Sequence, residues 1–339
     1  MITTYVVTPA NLTSVGGPSD GYIWDCYLQE VDVETNTLLF EWRASDHHSV
    51  DEAFFAVGNS GTENNPFDFY HINSIDKDEY GNYLVSSRYL KALTYINGTD
   101  GEVLWVLGGK RNSFHDLSHG KATDFAFQHE ARWYSDFKTI SIFDNAANNV
   151  QIVGPQSRGL YLSLDTEKMT VEVIRSFTNP HKYISQSQGS MEILDSGKVV
   201  VGYGFNSAFT EFASNGTILC DVRFGWWSPI QNGDVQSYRV AKKAWVGSPP
   251  TRPSIGIEGL SAYASWNGAT EVASWKLEGS QSDTDGSSFV TINQTAKKGF
   301  ETRLEIHTGK YPYLRLAAVD TKGHILKYSE TVAPSRQLV

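Results

Sequence analysis

The sequence predicts an all-β chain, in which a β-propeller is followed by a small immunoglobulin-like or fibronectin-III-like β-sandwich. Aromatic residues make up 13% of the chain and 29 of its 339 residues are glycine, a mixture that favours short strands and tight turns. Hairpins also recur regularly over residues 1–236, which is typical of repeated four-stranded sheets. No sustained helical period competes with this pattern.

Two kinds of hairpin alternate in the repeated region. The predicted outer hairpins of the blades start at Tyr27, Ala92, Leu160 and Phe209. The predicted inner hairpins start at Tyr70, Gln128 and Gln188. Inner hairpins recur 58 and 60 residues apart, counted from residues 71, 129 and 189, and one hairpin of each kind completes a propeller blade. A long antiparallel meander without radial closure is the alternative interpretation.

The pattern changes after residue 236, and this change predicts the domain boundaries. A proline cluster lies in residues 237–254, which we interpret as a linker, and short alternating strands with turn signals fill residues 255–339. We therefore expect the propeller in residues 1–236 and the sandwich in residues 255–339. Trp266 and Trp275 are predicted to belong to the sandwich core.

Charge and hydropathy exclude several classes of function. The formal net charge is −10, from 28 basic and 38 acidic residues, which argues against a nucleic-acid partner. No apolar run is long enough to span a membrane, and the first residues do not read as a signal peptide. As it stands, the chain is expected in the cytoplasm, and a signal region upstream would make it secreted.

The cysteines and glycosylation sequons bear on the same question. Cys26 and Cys220 are predicted to be two buried thiols, with one disulfide as the alternative. Sequons, which hint at a secreted glycoprotein, begin at Asn11, Asn97, Asn215 and Asn293. The Asn-Gly pairs among them are explained first as turn residues.

Two histidines occupy equivalent places in successive blades. His71 and His129 stand where the innermost strands of their blades begin, and the third blade has Gln188 and Ser190 there. Innermost strands converge on the central channel, so we expect these side chains to face one cavity. The alternative is that each histidine caps a strand or bonds a neighbouring backbone group.

Arginines near the inner hairpins could neutralise an anion in the channel. Arg88 and Arg158 are the candidates, whereas strand alternation turns Arg132 to the face opposite His129. The alternative for each arginine is a salt bridge between blades, with partners such as Asp144. No metal site is predicted: the pair at residues 47 and 48 is expected in a solvated loop, and Asp144 lacks the further oxygen ligands that Ca²⁺ needs.

Several motifs resemble those of the fungal arylsulfotransferase-like family. They occur in the family's order and run from about residue 17 to the C-terminus: DFYHINSIDKDEYGNYLVSSR, LWVLGGKRNSF, FAFQHEARW, SIFDNA, QSRGL and SWNGATEV. The resemblance implies a β-propeller, usually six-bladed, with a C-terminal sandwich. It also implies that a channel histidine carries a sulfuryl group from a phenolic sulfate ester to an acceptor phenol without a nucleotide cofactor. His71 and His129 match family histidines.

On this resemblance an imidazole would attack the sulfur while Arg88 or Arg158 stabilises the charge on its oxygens, and the second histidine would serve as acid and base. No cofactor is expected, and the expected partner is a small aromatic molecule. The predicted substrate-binding residues are Tyr70, Asn73, Gln128, Trp133, Gln188 and Ser190.

Two departures from the family leave other functions open. Family members carry upstream blades with a further His-Glu-Phe motif, and Gln188 stands where a bacterial-type enzyme has a basic group. The same pocket could instead guide a cyclisation in fungal secondary metabolism, such as a hetero-Diels–Alder addition. A propeller that binds a glycan or protein without catalysis is the third interpretation.

The number of blades is the last expectation. About 240 residues precede the sandwich, enough for about four blades, and the first has only ITTYVV to serve as an inner strand. The ring therefore closes with fewer blades than six, or stays open and has its strand edges covered in a homodimer.

Overall fold

The structure is a computed structural model that describes residues 1–134, 137–225, 233–283, 286–307 and 310–333. The chain divides into two compact units, Met1–Lys242 and Lys243–Val339. Strands dominate both units, and the helical residues of the described part belong to three-residue 3-10 turns. The all-β prediction is confirmed. The predicted boundaries at residues 236 and 254 stay predictions.

The first unit begins with two antiparallel sheets. The first sheet has three strands in the order β1-β2-β3, namely β1 (Ile2–Ala10), β2 (Gly21–Val31) and β3 (Leu38–Arg43). The second has four strands in sequence order, namely β4 (Ile72–Lys77), β5 (Tyr83–Ser87), β6 (Ala92–Ile96) and β7 (Val103–Gly108). Strands that pair in sequence order and antiparallel are the pattern of a propeller blade.

The next two sheets repeat the pattern. The third sheet, in the order β8-β12-β11-β10-β9, contains β8 (His115–Asp116), β9 (His129–Trp133), β10 (Thr139–Asp144), β11 (Arg158–Asp165) and β12 (Thr170–Thr178). The fourth contains β13 (Ser190–Ile193), β14 (Val199–Gly202), β15 (Ala208–Phe212) and β16 (Ile218–Arg223). The short β8 adds a parallel outer strand to its sheet.

Successive sheets pack face to face through separate apolar cores. Trp42 and Val85 share the core between the first and second sheets, and Leu93 and Ile140 share the next. Phe143 contributes to the core between the third and fourth sheets. The innermost strands β4, β9 and β13 contact one another in turn. The unit is thus a β-propeller whose inner strands converge, as the hairpin spacing predicted.

The second unit contains two further sheets. One has the strands β17 (Ser254–Glu258), β18 (Ser261–Ser265) and β21 (Thr302–Glu305). The other, in the order β20-β19-β22-β23, has β19 (Ser274–Ser280), β20 (Val290–Ala296), β22 (Tyr313–Val319) and β23 (Ile325–Tyr328). Both sheets contribute to one core that includes Trp266 and Trp275, as predicted. Its assignment as immunoglobulin-like or fibronectin-like stays a prediction.

Two local expectations are corrected by the structure. Both cysteines are free thiols, and Cys26 is buried, but Cys220 is exposed because it lies on the outer strand β16. His48 is buried rather than solvated, since its Nδ1 lies 2.7 Å from Glu52 Oε2 and its ring packs near Tyr70. No helix among the described residues has the length and apolar character to cross a membrane.

Candidate functional site

The candidate site lies where the innermost strands begin. His71 immediately precedes β4 and adopts a left-handed conformation, with a φ of 57°. Its carbonyl oxygen accepts a hydrogen bond of 3.0 Å from the backbone N–H of Arg88, in the turn between β5 and β6. This bond brings a histidine and an arginine from two adjoining strand ends to the same end of one blade.

The His71 ring is oriented by an aspartate three residues earlier. Its Nδ1 lies 2.5 Å from Asp68 Oδ2, and the side chain is 30% exposed. Because a carboxylate can only accept this bond, Nδ1 is the donor, and in the neutral tautomer that this fixes the lone pair is on Nε2. Nε2 has no hydrogen-bond partner in the part of the chain that the structure describes. Asp68 was not among the predicted site residues, although the Asp-x-x-His spacing could have indicated it.

Two tyrosine rings flank His71. Tyr89 lies 5.1 Å away between ring centroids, at 68°, and Tyr5 lies 6.0 Å away, at 64°. The Tyr5 hydroxyl donates a hydrogen bond of 2.8 Å to the carbonyl of Ile72. Burial raises the pKa of both phenols, so both stay protonated at neutral pH. Neither was predicted as a site residue, although Tyr5 lies in the ITTYVV segment that was expected to serve as the inner strand of the first blade.

Arg88 supplies the positive charge of the site. Only 7% of the residue is exposed, and its guanidinium donates to Tyr89 Oη at 2.9 Å and to the carbonyl of Gln186 at 2.7 Å. Its Nε–H is buried and has no hydrogen-bond partner in the described part of the chain. Among the described residues no carboxylate lies within ion-pair distance of it. A buried, uncompensated guanidinium with a spare donor is suited to bind an anion.

His129 has the same place in the next blade but different surroundings. It is 2% exposed, and its Nδ1 lies 2.8 Å from Asn145 Oδ1 and 3.0 Å from the carbonyl of Phe127. Its Nε2 accepts a hydrogen bond of 3.1 Å from the backbone N–H of Gln188. Burial lowers the pKa of His129 to about 3. The ring is therefore neutral, with both nitrogens engaged, and it ties the third blade to the fourth.

Asn73 and Gln128 join the second and third blades beneath the site. The Asn73 side-chain amide donates a hydrogen bond of 2.6 Å to the Gln128 carbonyl. Buried side-chain atoms without a hydrogen-bond partner occur at Asp68 Oδ1, Asn73 Oδ1, Arg88 Nε, Gln128 Oε1 and Gln188 Oε1. These five residues lie at or near the starts of the inner strands or in the β5–β6 turn, and unsatisfied buried polar atoms of this kind are suited to bind water or a polar ligand.

Residues 236–242, which we call the strap, run beside β13. The backbone N–H of Val240 donates to Ser190 Oγ at 2.9 Å, and the Tyr238 carbonyl accepts from Gly189 at 3.0 Å. The Gln188 side-chain amide Nε2 donates a hydrogen bond of 2.7 Å to Gln236 Oε1. The Tyr238 ring lies 6.0 Å from that of His129. Thus Gln188 and Ser190 hold the strap, and the strap adds a third tyrosine to the site.

Three predicted residues lie away from His71. Tyr70 is fully buried in the apolar core, where its hydroxyl bonds Thr94 at 3.0 Å. Trp133 packs against the rings of Tyr95 and Trp105 between the second and third sheets. These positions correct the expectation that the two rings line the channel: the Tyr70 ring, just before β4, belongs to the core of the first and second sheets, and the Trp133 ring on β9 points between the second and third sheets.

Arg158 is the third displaced residue. Its Nε lies 2.8 Å from Asp144 Oδ2 and its terminal nitrogen 2.6 Å from Asp124 Oδ1. With both carboxylates it lines a separate cavity of about 230 Å³ on β11. These carboxylates already neutralise the Arg158 guanidinium, so Arg158 forms a structural ion pair, which was the alternative to binding an anion in the channel. Arg132 is likewise paired, with Glu130 at 2.9 Å.

The chain is similar in fold to several solved structures. A protein of unknown function from Bacteroides caccae is 12% identical, with 97% of this chain and 93% of that chain covered and a TM-score of 0.34. The Cps50 (Swd1) β-propeller domain from Myceliophteria thermophila is 8% identical, with 58% and 48% covered and a TM-score of 0.32. Virginiamycin B lyase from Staphylococcus aureus is 14% identical, with 79% and 71% covered and a TM-score of 0.28. Such low scores carry no conclusion about function.

Sequence comparison is more specific. No curated protein matches the chain. The model of the family described as arylsulfotransferase (ASST) matches residues 1–225, which include the four sheets and the His71, Arg88 and His129 positions. This match spans most of the chain, and so the protein belongs to the arylsulfotransferase (ASST) family.

Proposed function

We propose that the protein transfers a sulfuryl group from an aryl sulfate to an acceptor phenol, with His71 as the nucleophile. The observation that carries the proposal is the arrangement of His71. Asp68 holds Nδ1, Nε2 is unpartnered, and the uncompensated guanidinium of Arg88 belongs to the adjoining turn. Membership of the family supports the same class of reaction.

In the first half-reaction Nε2 of His71 attacks the sulfur of the donor. The N–S bond forms as the S–O bond to the aryl group breaks, and a phenolate leaves. The N–H of Arg88 Nε is the donor available to the sulfuryl oxygens, whose negative charge it stabilises. Asp68 stabilises the positive charge that develops on the imidazole and receives the Nδ1 proton.

In the second half-reaction an acceptor phenol replaces the departed phenolate. Its oxygen attacks the sulfur, the N–S bond breaks, the proton held by Asp68 returns to Nδ1 and the phenolic proton passes to water, so that His71 regains its original state. The rings of Tyr5 and Tyr89 would hold donor and acceptor in the same orientation by stacking against them. His129 is a positioning residue here, because both of its nitrogens are engaged.

The proposal is tested by trapping the sulfated histidine. The protein is incubated with 4-nitrophenyl sulfate, without acceptor, and digested under alkaline conditions for mass spectrometry. We expect sulfate on the peptide containing His71 and release of 4-nitrophenol, both lost in His71→Ala. Sulfate on another residue, or turnover retained in His71→Ala, contradicts the proposal.

A matched pair of aspartate variants tests the orientation of His71. Asp68→Asn leaves the size unchanged but removes the charge that fixes the ring, and we expect turnover to fall about a hundredfold. The control is Asp100→Asn, which alters an exposed turn carboxylate. Equal turnover in the two variants would show that Asp68 does not act on the reaction.

A second candidate is the cyclisation of a reactive phenol-derived substrate. Sulfuryl transfer was expected to use the second histidine as acid and base, but both nitrogens of His129 are hydrogen-bonded. His71 is then the single available imidazole of the pair, which favours a reaction that needs no second one. In this reaction Arg88 would polarise a carbonyl while the tyrosine rings fix the facial approach, and no covalent intermediate would form. The candidate predicts no sulfated peptide, together with a product stereochemistry that differs from the reaction in buffer.

A further inference from the structure

A lysine at the end of the β5–β6 turn has an unusual conformation and environment. Lys91 adopts a left-handed backbone conformation, with a φ of 52°, which costs a residue other than glycine about 1 kcal/mol. Its backbone N–H bonds the carbonyl of Arg88 at 3.3 Å, so it belongs to the same turn as the site arginine. Glycine would adopt this conformation with less strain. A function of the lysine side chain would explain why lysine occupies the position.

The Lys91 ammonium lies between two phenyl rings. Its Nζ is 4.4 Å from the ring centroid of Phe54 and 4.8 Å from that of Phe127. The residue is half-buried, and burial lowers its pKa. Within the described ranges no acceptor or carboxylate bonds this ammonium. Cation–π contact offsets part of the lost hydration, but it leaves all three N–H donors unused.

A second ammonium adjoins the same ring. Lys110 Nζ lies 5.3 Å from the Phe54 centroid and donates to the carbonyls of Asp51 and Ala53, at 2.7 and 2.8 Å. Two cations beside one partly exposed phenyl ring repel each other, and an anion near both would relieve that repulsion. Phe54 and Lys110 also line a cavity of about 410 Å³, together with Phe55 and Asp51, and Lys91 adjoins this cavity through its contact with the Phe54 ring rather than lining it.

Backbone contacts connect this cluster to the candidate site. The N–H of Phe54 donates to the Tyr89 carbonyl at 3.2 Å, and the Phe127 carbonyl contacts His129 Nδ1 at 3.0 Å. Lys91 is three residues from Arg88. The cluster thus lies beside the loops that carry the site and offers both an aromatic surface and positive charge.

We propose that Lys91, Lys110 and Phe54 form a subsite for an aromatic anion, whose ring packs on Phe54 and whose negative group pairs with the Lys91 ammonium, while the buried Phe127 ring holds the Lys91 side chain in place. The subsite would give the enzyme a preference for aromatic substrates that carry an acidic group apart from the reacting oxygen. That use rests on the proposed function, whereas binding itself does not require turnover.

Binding is measured by calorimetry with naphthalene-2-sulfonate, which has no S–O aryl bond to transfer, and with the neutral 2-naphthol. The variants are Lys91→Met, which removes the charge, and Lys91→Arg, which keeps it. We expect Lys91→Met to weaken sulfonate binding about fivefold or more and Lys91→Arg to change it by less than about twofold. Naphthol binding should not change in Lys91→Met, and added salt should weaken only the sulfonate.

Other outcomes overturn the subsite. Sulfonate binding that is unchanged in Lys91→Met, or weakened equally in the exposed control Lys168→Met, would remove Lys91 from recognition. A loss in Arg88→Met alone would place the anion at the candidate site, which contradicts the subsite but agrees with the proposed reaction. Binding that depends on Lys91 in a protein that forms no sulfated His71 would keep the subsite and reject sulfuryl transfer.

Discussion

At the scale of the residue, the neighbours of a histidine decide what its ring can do. His71 has a carboxylate at Nδ1 and an Nε2 without a hydrogen-bond partner among the described residues, whereas His129 is enclosed by an amide oxygen and a backbone N–H. A lone pair that already accepts a hydrogen bond is a poor nucleophile, because the bond must break before attack. The equivalent positions in two blades thus hold one candidate nucleophile, His71, and one positioning residue, His129.

The low pKa of His129 predicts a pH-dependent stability. An unfolded histidine titrates near its ordinary value of 6.5, but the folded ring titrates at about 3, so only the unfolded state gains this proton between these pH values. The free energy of unfolding should fall as the pH decreases through this window, by at most about 1.4 kcal/mol per pH unit. In His129→Gln this contribution is absent.

Urea denaturation at pH 7 and pH 4 measures the effect. The wild-type protein should be more stable than His129→Gln at pH 7, because the glutamine cannot reproduce both hydrogen bonds, and this advantage should shrink at pH 4. A difference between the two proteins that stays the same at both pH values would show that the folded ring accepts a proton freely.

Arg158 illustrates a charged residue whose function is structural. Replacing it with methionine leaves Asp144 buried without its cation, and burial already raises the pKa of that carboxyl group. We expect Arg158→Met to lower the free energy of unfolding by about 3 kcal/mol. Chemical denaturation provides the measurement, with Arg175→Met on the exposed face of β12 as the control. Similar losses in both variants would mean that the buried pair contributes nothing specific.

At the scale of the element, the starts of the inner strands are the most predictable feature of the site. Strands β4, β9 and β13 begin at residues 72, 129 and 190, within two residues of the predicted starts of the inner hairpins at 70, 128 and 188. Alternating apolar residues and turn signals are local, so they can be read from the chain. The strap has no such pattern, because its contacts with Gln188 and Ser190 are made some 50 residues apart.

The attachment of the strap can be tested at Ser190. Its hydroxyl is the acceptor for the Val240 N–H, so Ser190→Ala should speed hydrogen exchange in residues 236–242 about fivefold while β14 is unaffected. Exchange followed by mass spectrometry resolves the two segments. Ser176→Ala, on the outer strand β12, is the control and should leave the strap unchanged. Unaltered exchange in Ser190→Ala would mean that other contacts hold the strap.

At the scale of the whole molecule, each of the two units has its own apolar core. The core of the second unit includes Trp275, Leu277 and Leu316, all almost completely buried. We therefore expect residues 243–339 to fold when expressed alone, since a unit of this size with its own core can be independently stable. Thermal unfolding followed by circular dichroism should be cooperative, and Trp275→Ala should lower the Tm. A gradual transition without a Tm would contradict this independence.

The sequence by itself determined the all-β class, the repeated blades, the placement of His71 and His129 at inner-strand starts and the change of pattern near residue 236. These properties depend on local periodicity and turn residues, which need no knowledge of distant contacts. Only the tertiary structure separated Arg88, which is buried with no carboxylate of the described residues in ion-pair distance, from Arg158, which is paired with two carboxylates. It alone brought Asp68, Tyr5 and Tyr89 to His71 and turned Tyr70 into the core. The charge state of a side chain and its unused hydrogen-bond donors and acceptors depend on what surrounds it in space. The pattern of residues along the chain does not reveal those surroundings.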